Sequence, residues 1–342
     1  MIIQENIDIK KFTTFHVSAI CRFFTEIFTL EELNEALNFS VNNKLPVLFI
    51  GGGSNILFTN KTFNGLVIKV NLKGIQETLG NHNNQVFVSG MAGENWDSFV
   101  SYCINKNYGG LENLSLIPGN VGTSPIQNIG AYGVEMKDSF YQLKALNLTT
   151  REIEIFSFDD CNFGYRESFF KNEGRNNYVI LEVTFQLTTK KHKLKLSYGD
   201  IMDELNKDKI SEPSLKEIRN QIIATRKRKL PDPEVLGNAG SFFKNPIIPI
   251  YQLIKIRENY PNIPFYTISN DFVKLPAAWL IEKTGWKGKK IGNVGVHEKQ
   301  PLVLVNLGTA TGKEIFSLSN SIIEDVNKIF NIQLEREVNI IL

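Results

Sequence analysis

The stretch IPGNVGTSPIQNIGAYGVE, residues 117–135, decides how this chain is read. Its four glycines are interleaved with Asn, Thr, Ser and Gln. Glycine tolerates positive φ and admits a ligand close to the main chain, so the pattern describes backbone shaped around a polar ligand. The stretch is too polar for a core and too regular for a linker. Its natural partner is GGGSN, residues 51–55, which follows the short apolar run PVLFI and so sits at the end of a buried strand. A strand, a glycine turn and then polar side chains make a phosphate cradle, and a plain tight turn is the competing reading. A doubly wound dinucleotide fold would need glycines at one, three and six with a helix directly after. Ile56, Leu57 and Phe58 follow instead, so that fold is not supported.

At 342 residues the chain exceeds what one hydrophobic core usually supports, and two or three domains are expected. Hydrophobic residues at 42% and charged residues at 22% are ordinary globular values. Lys plus Arg number 38 against 36 Asp plus Glu, so no electrostatic footprint marks a nucleic-acid or membrane binder. Cys21, Cys103 and Cys161 are odd in number and far apart, which argues for reduced structural thiols rather than disulfides or a zinc site, and no metal site is expected. The first residues lack a signal-peptide pattern and no segment is apolar enough to span a membrane, so a cytoplasmic protein is expected.

Outward from the two loops, Thr29 to Glu32 forms a capping box for an amphipathic helix through Leu33, Leu37 and Val41. Strands are expected at 66–72 and 86–89, and a helix buries Trp96, Phe99, Val100 and Cys103 as core. Segments 143–148 and 179–187 alternate as antiparallel strands, and Lys190, Lys191, His192, Lys193 and Lys195 read as a strand's solvated face. A second capping box, Ser214 to Glu217, heads a helix ending in Arg226, Lys227, Arg228 and Lys229 before Pro231 and Pro233. Those four cations either complement the helix dipole or form a local anion site. A domain boundary is placed near 212.

The loop GNAGSFFKNP, 237–246, is a turn or a substrate platform. Residues 275–284 form a helix with Pro276 at its start and Gly285 past its end, 301–306 a strand, and Thr311 to Glu314 caps a last helix through Ile315, Leu318, Ile322 and Val326. In an extended LEREVNII, Glu335 and Glu337 share one face, and the strand pattern cannot choose between them as an acid near a cleft. From the residues alone the protein is a multidomain α+β binder of a phosphorylated ligand, or two.

Nine motifs in order over residues 12–338 resemble the UDP-N-acetylenolpyruvoylglucosamine reductase (UDP-N-acetylmuramate dehydrogenase) family: FTTFHV, GGGSNILF, the 117–135 stretch, YRESFFK, LPDP, GNAGSFFKNP, PAAWLIEKTGWKG, VHEKQPLVLVN and LEREV. The resemblance implies an α+β FAD-binding fold of the vanillyl-alcohol-oxidase-like type, with two α+β FAD-binding subdomains (1–70 and 71–211), a substrate-binding α+β domain (212–330) and a C-terminal strand (331–342) returning to the active site. It implies a cytoplasmic flavoenzyme of peptidoglycan precursor synthesis, a monomer, taking NADPH and a nucleotide sugar as small-molecule partners.

By the same resemblance, non-covalent FAD is held by Gly51, Gly52, Gly53, Ser54 and Asn55. Pro118, Gly119, Gly122, Thr123, Ser124, Gln127, Asn128, Gly130, Ala131 and Tyr132 run along its diphosphate, ribityl chain and ring. Arg166 of YRESFFK and Glu337 match the pair that stabilises an enolate-like charge, and Ser241 of GNAGS matches the proton donor. Lys229 and Lys287 match contacts to the nucleotide diphosphate, with Tyr198, Asn245, Tyr266 and Gln300 as further substrate contacts. Tyr198 belongs to the subtype whose tyrosine loop folds over substrate. Two other functions compete: a flavin oxidase of the same fold, and a non-catalytic flavin or nucleotide-sugar binder.

Overall fold

The computed structural model describes residues 1–80, 84–197, 201–207 and 210–342. The chain divides into two compact units, each discontinuous: Met1–Asn6, Arg22–Gly52 and Asn64–Arg228 form one, and Ile7–Cys21, Gly53–Phe63 and Lys229–Leu342 the other. The sequence reading drew contiguous segments, whereas here two short excursions from the first half belong with the C-terminal third.

The first unit is built on two sheets. A four-stranded sheet has the order Gln4–Asp8, Ile20–Ile27, Thr62–Val70, Val47–Ile50, the last two parallel. Helix Leu30–Asn42 packs Leu33, Ala36 and Leu37 with Leu66, Ile68 and Val70. Thr29 accepts from the Glu32 amide at 3.2 Å, and Glu32 returns a bond to Phe28 rather than to Thr29. Val41 is 65% exposed, because the buried stripe of this helix stops at Ser40.

The second sheet is antiparallel, in the order Ile153–Ser157, Phe140–Asn147, Tyr178–Thr188, Gln85–Met91, Ile75–Leu79. Helix Trp96–Asn105 covers it, with Trp96, Phe99, Val100 and Cys103 fully buried against Val86, Val88, Val183 and Phe185, as their spacing predicts. Lys190 to Lys195 are not in a strand. The ladder ends at Thr188, whose hydroxyl meets His192 Nδ1 at 2.7 Å and turns the chain out of the sheet. Helix Leu215–Lys229 closes this unit, with Ile218 and Ile222 packed on Ile201 and Leu205. Its capping box is present, Ser214 N donating to Glu217 at 2.7 Å.

The second unit centres on a four-stranded antiparallel sheet in the order Asn238–Ser241, Val303–Asn306, Val294–Val296, Lys290–Ile291. Helix Gly312–Phe330 lays Ile315, Leu318, Ile322 and Val326 on its core, and the Thr311–Glu314 capping box is complete. A three-stranded sheet, Ile247–Pro249, Phe272–Lys274 and Tyr266–Thr267, lies in the same unit. The expected eight-residue strand at the C-terminus is shorter than its pattern: only Asn339–Ile341 is regular, and it pairs parallel with Ile56–Phe58. The chain before it is tied by an isolated antiparallel bridge between Phe243 and Arg336, which the two glutamates flank. All three cysteines are free and buried. Among the described residues no helix is long and apolar enough to cross a membrane, and no three His, Cys, Asp or Glu side chains cluster to hold a metal.

Candidate active site

Gly51 and Gly52 pack face to face with the organising stretch. A β-carbon at Gly51 would lie 2.7 Å from Thr123 Cγ2, and one at Gly52 2.8 Å from Asn120 Oδ1. Side chains are excluded here by the close approach of two polar loops. Beside them a cavity of about 90 Å³ is lined by Gly51, Gly122 and Thr123 on one side and by apolar groups including Ile50, Ile126, Phe170 and Ile180 on the other. A larger cavity of about 430 Å³ in the second unit contains none of the expected site residues, so size does not mark the site.

The stretch is held in an unusual backbone path. Asn120 caps the short turn Val121–Thr123 and its carboxamide donates to Gly93 O at 2.7 Å. Asn128 and Tyr132 have φ of 42° and 51°, a region uncommon for residues other than glycine, which Asn enters more readily than Tyr. The Asn128 side chain is fully buried, donating to Glu135 at 2.9 Å and Gly164 O at 3.0 Å and accepting from Lys137 N at 3.1 Å. Ser124 is also buried, its hydroxyl donating to Val121 O at 2.7 Å. These two expected cofactor contacts therefore shape the loop with their side chains.

Arg166, itself at φ 57°, lays its guanidinium on the same stretch, Nη2 donating to Gly130 O at 2.8 Å. Lys171 Nζ donates to the Arg166 carbonyl at 2.8 Å and fixes that strained residue. Asn113, 1% exposed, donates to Tyr132 O at 2.9 Å and Lys195 O at 2.8 Å, and so ties the stretch to the segment leading towards residue 198. The sequence reading missed Asn113; GLENLSL carries Glu and Ser as well as Asn among its leucines, and nothing in that local pattern singles Asn113 out. Tyr198 lies outside the described residues.

The basic helix end separates into roles. Arg226 Nε donates to Leu116 O at 3.1 Å and its guanidinium also meets the Tyr132 hydroxyl. Burial lowers the Arg226 pKa, opposed by Tyr132 and Asp97. Burial would raise the Asp97 pKa, but the Arg219 fork, the Leu116 amide and Arg226 hold it below the usual range. Arg228 pairs at 3.6 Å with Glu204.

In the second unit, Gly240 turns at φ 67° beside Ser241, and Asn238 shapes that turn, accepting from Gly240 N at 2.9 Å and donating to Leu236 O at 2.8 Å. Glu337 N donates to Phe242 O at 2.8 Å, so the acid lies across from the residue after Ser241. Glu335, the alternative acid, is ion-paired with the buried Lys244. Asn245 Oδ1 accepts from Ala277 N at 2.9 Å and caps helix Ala277–Lys283. Gln300 N donates to His297 Nδ1 at 3.2 Å, Lys287 pairs with Glu282 at 2.9 Å, and Tyr266 is 47% exposed on its short strand. Lys229 ends helix Leu215–Lys229.

Comparison with known proteins gives this geometry a family. An FAD-binding domain description matches residues 24–156, and the description UDP-N-acetylenolpyruvoylglucosamine reductase, C-terminal domain, matches residues 232–341. A UDP-N-acetylenolpyruvoylglucosamine reductase of Flavobacterium johnsoniae is 49% identical over 341 residues, covering 100% of both chains. The chain belongs to the UDP-N-acetylenolpyruvoylglucosamine reductase family. A second member, from Amoebophilus asiaticus, is 48% identical with the same coverage. The solved structure of a family member from Thermus caldophilus shares the fold, with a TM-score of 0.68 over 99% of each chain at 22% identity.

Family membership makes the chain an FAD-dependent oxidoreductase with the expected α+β FAD-binding fold and C-terminal domain. The residues expected from the sequence to act on substrate fall in both units. In the first unit Arg166 donates to Gly130 O of the organising stretch, and in the second the Glu337 amide donates to the carbonyl of Phe242, the residue after Ser241.

Proposed function

We propose that this protein reduces the enolpyruvyl group of UDP-N-acetylglucosamine enolpyruvate to UDP-N-acetylmuramate in the cytoplasm, with NADPH as reductant. The observation that carries the reading is identity of 49% across the whole length of a reductase, with Arg166, Ser241 and Glu337 all present. A flavin oxidase or a simple binder would not need those three together.

The fit to FAD rests on the paired loops. Main-chain amides of Gly51, Gly52, Gly53, Ser54 and Asn55, and those of the turn around Gly119, Gly122 and Thr123 that packs on Gly51 and Gly52, suit a diphosphate, because amides donate without requiring side-chain volume that these glycines lack. Pro118, Gln127, Gly130, Ala131 and Tyr132 continue the wall. Bound FAD supplies the two-electron relay between NADPH and the enol ether.

Saturating the terminal carbon of the enol ether leaves negative charge on the α-carbon and its carboxylate. Arg166 supplies a fixed cation to that charge, preorganised by its bond to Gly130 O. Glu337 completes the pair, and Ser241 delivers the proton to the α-carbon. A serine hydroxyl is a weak acid, but an enolate-like acceptor is strongly basic, so placement matters more than acidity. Lys229 and Lys287 meet the nucleotide diphosphate, with Tyr198, Asn245, Tyr266 and Gln300 around the remainder.

The test is an anaerobic two-step titration of the yellow holoprotein. NADPH bleaches the flavin, and the enolpyruvyl nucleotide sugar restores its colour. Recolouring by oxygen alone identifies an oxidase, and failure to bleach identifies a binder. Ser241→Ala should leave bleaching intact while slowing recolouring by about a thousandfold. Equal loss in both steps would make Ser241 structural.

A further inference from the structure

Glu337 sits where regular pairing fails. Glu337 directly follows the isolated bridge between Arg336 and Phe243, and the strand Asn339–Ile341 begins two residues later. Its amide is held by Phe242 O at 2.8 Å. Its carbonyl accepts from the side chain of Asn55, Nδ2, at 3.1 Å. Asn55 is held in turn, its carbonyl accepting from Asn339 N at 3.1 Å and from Asn339 Nδ2 at 3.0 Å. The next residue, Ile56, opens the strand that pairs with Asn339. Two residues earlier, Gly53 is pinned: its carbonyl accepts from Thr14 N at 3.1 Å, and a β-carbon there would fall 1.9 Å from Phe12 O. Arg336 is anchored on helix Gly312–Phe330 through Ser319 Oγ at 2.8 Å and Asn320. The Glu337 amide is thus held by Phe242 O and its carbonyl by the Asn55 carboxamide.

We infer that Asn55 is a positioning residue for Glu337: the last residue of the GGGSN loop uses its side chain to orient the acid, and its main chain continues the loop. The inference rests on the proposed role of Glu337. It separates two parts of Asn55. The carboxamide serves the step in which substrate is reduced, and reduction of the flavin by NADPH does not require it.

The test uses full-length protein loaded with FAD and follows the two anaerobic half-reactions separately. Asn55→Ala should slow recolouring with the enolpyruvyl nucleotide sugar by about 10- to 100-fold more than it slows bleaching by NADPH. Asn55→Asp keeps the size but turns the donor into an acceptor, and it should recolour as slowly as Asn55→Ala. Combined with Glu337→Gln, Asn55→Ala should add less than about a further twofold, because the group it orients has already been disabled. Equal slowing of both half-reactions, wild-type recolouring by Asn55→Asp, or fully additive losses would overturn the inference. Wild-type recolouring by Glu337→Gln alone would instead overturn the reading of Glu337 on which the inference stands. If Asn55→Ala fails to retain FAD, Asn339→Ala removes one donor from the Asn55 carbonyl. The same selective slowing is expected there, and equal slowing refutes the inference.

Discussion

Arg166 Nη2 donates to the carbonyl of Gly130 at 2.8 Å, so the cation proposed to meet substrate charge is anchored on the loop proposed to wall the flavin. A planar guanidinium can hold that carbonyl and keep donors in reserve, whereas a lysine ammonium is a single point on a flexible stem. Arg166→Lys should therefore retain FAD and bleach normally with NADPH, yet recolour with the enolpyruvyl substrate about 100-fold more slowly. Stopped-flow absorbance of the flavin reads both rates, and an unchanged second rate would remove Arg166 from the chemistry.

Two glycines with similar backbone angles should respond differently to the same change. Gly53 has φ 62° and a β-carbon would strike Phe12 O at 1.9 Å, whereas Gly240 has φ 67° with nothing within 4 Å. Gly240→Ala should cost about 1 kcal/mol from backbone strain alone. Gly53→Ala adds a backbone clash and should exceed about 3 kcal/mol, with loss of bound flavin. Urea unfolding midpoints compare the two.

Asp97 joins helix Trp96–Asn105 to helix Leu215–Lys229 by accepting from Arg219 at 2.7 and 2.8 Å, and to the residue before the organising stretch by accepting from Leu116 N at 2.5 Å. Its folded pKa is depressed below 3.8, so its contribution is present above that value and is lost as pH falls through the folded pKa. Asp97→Asn leaves Arg219 without its counter-charge and should destabilise the fold by about 2 kcal/mol at neutral pH. The deficit relative to the unaltered protein should vanish in strong acid, which thermal melts across pH can check.

His297 accepts from the amide of Gln300, a bond that requires neutral Nδ1. Burial holds its pKa below the ordinary 6.5. The unfolded chain therefore binds this proton first, so stability from this group is intact above 6.5 and declines as pH falls from there through the folded value. Substrate KM should rise over the same window if Gln300 contacts substrate. His297→Asn preserves an acceptor without a titrating ring and should flatten that rise. A KM profile identical in both proteins would exclude His297 as its source.

Much of this architecture is encoded within a few residues of itself. Thr29, Ser214 and Thr311 cap their helices through partners three residues away, and Trp96, Phe99 and Val100 reveal their buried face by helical spacing. The glycine loops are legible because close approach excludes side chains wherever it occurs. Other features depend on contacts distant in sequence. Asn55 reaches Glu337 across 282 positions, and no local pattern carries that pairing. The choice between the two glutamates is of the same kind. Alternation treats Glu335 and Glu337 alike, and only the folded chain pairs Glu335 with Lys244 and leads Glu337 across Phe242. The sequence by itself determined the caps, the core faces, the glycine cradle and the family. The tertiary structure decided which polar side chains shape the loops and which hold the acid, because a hydrogen bond is set by position in space and the chain's periodicity carries no record of partners hundreds of residues away.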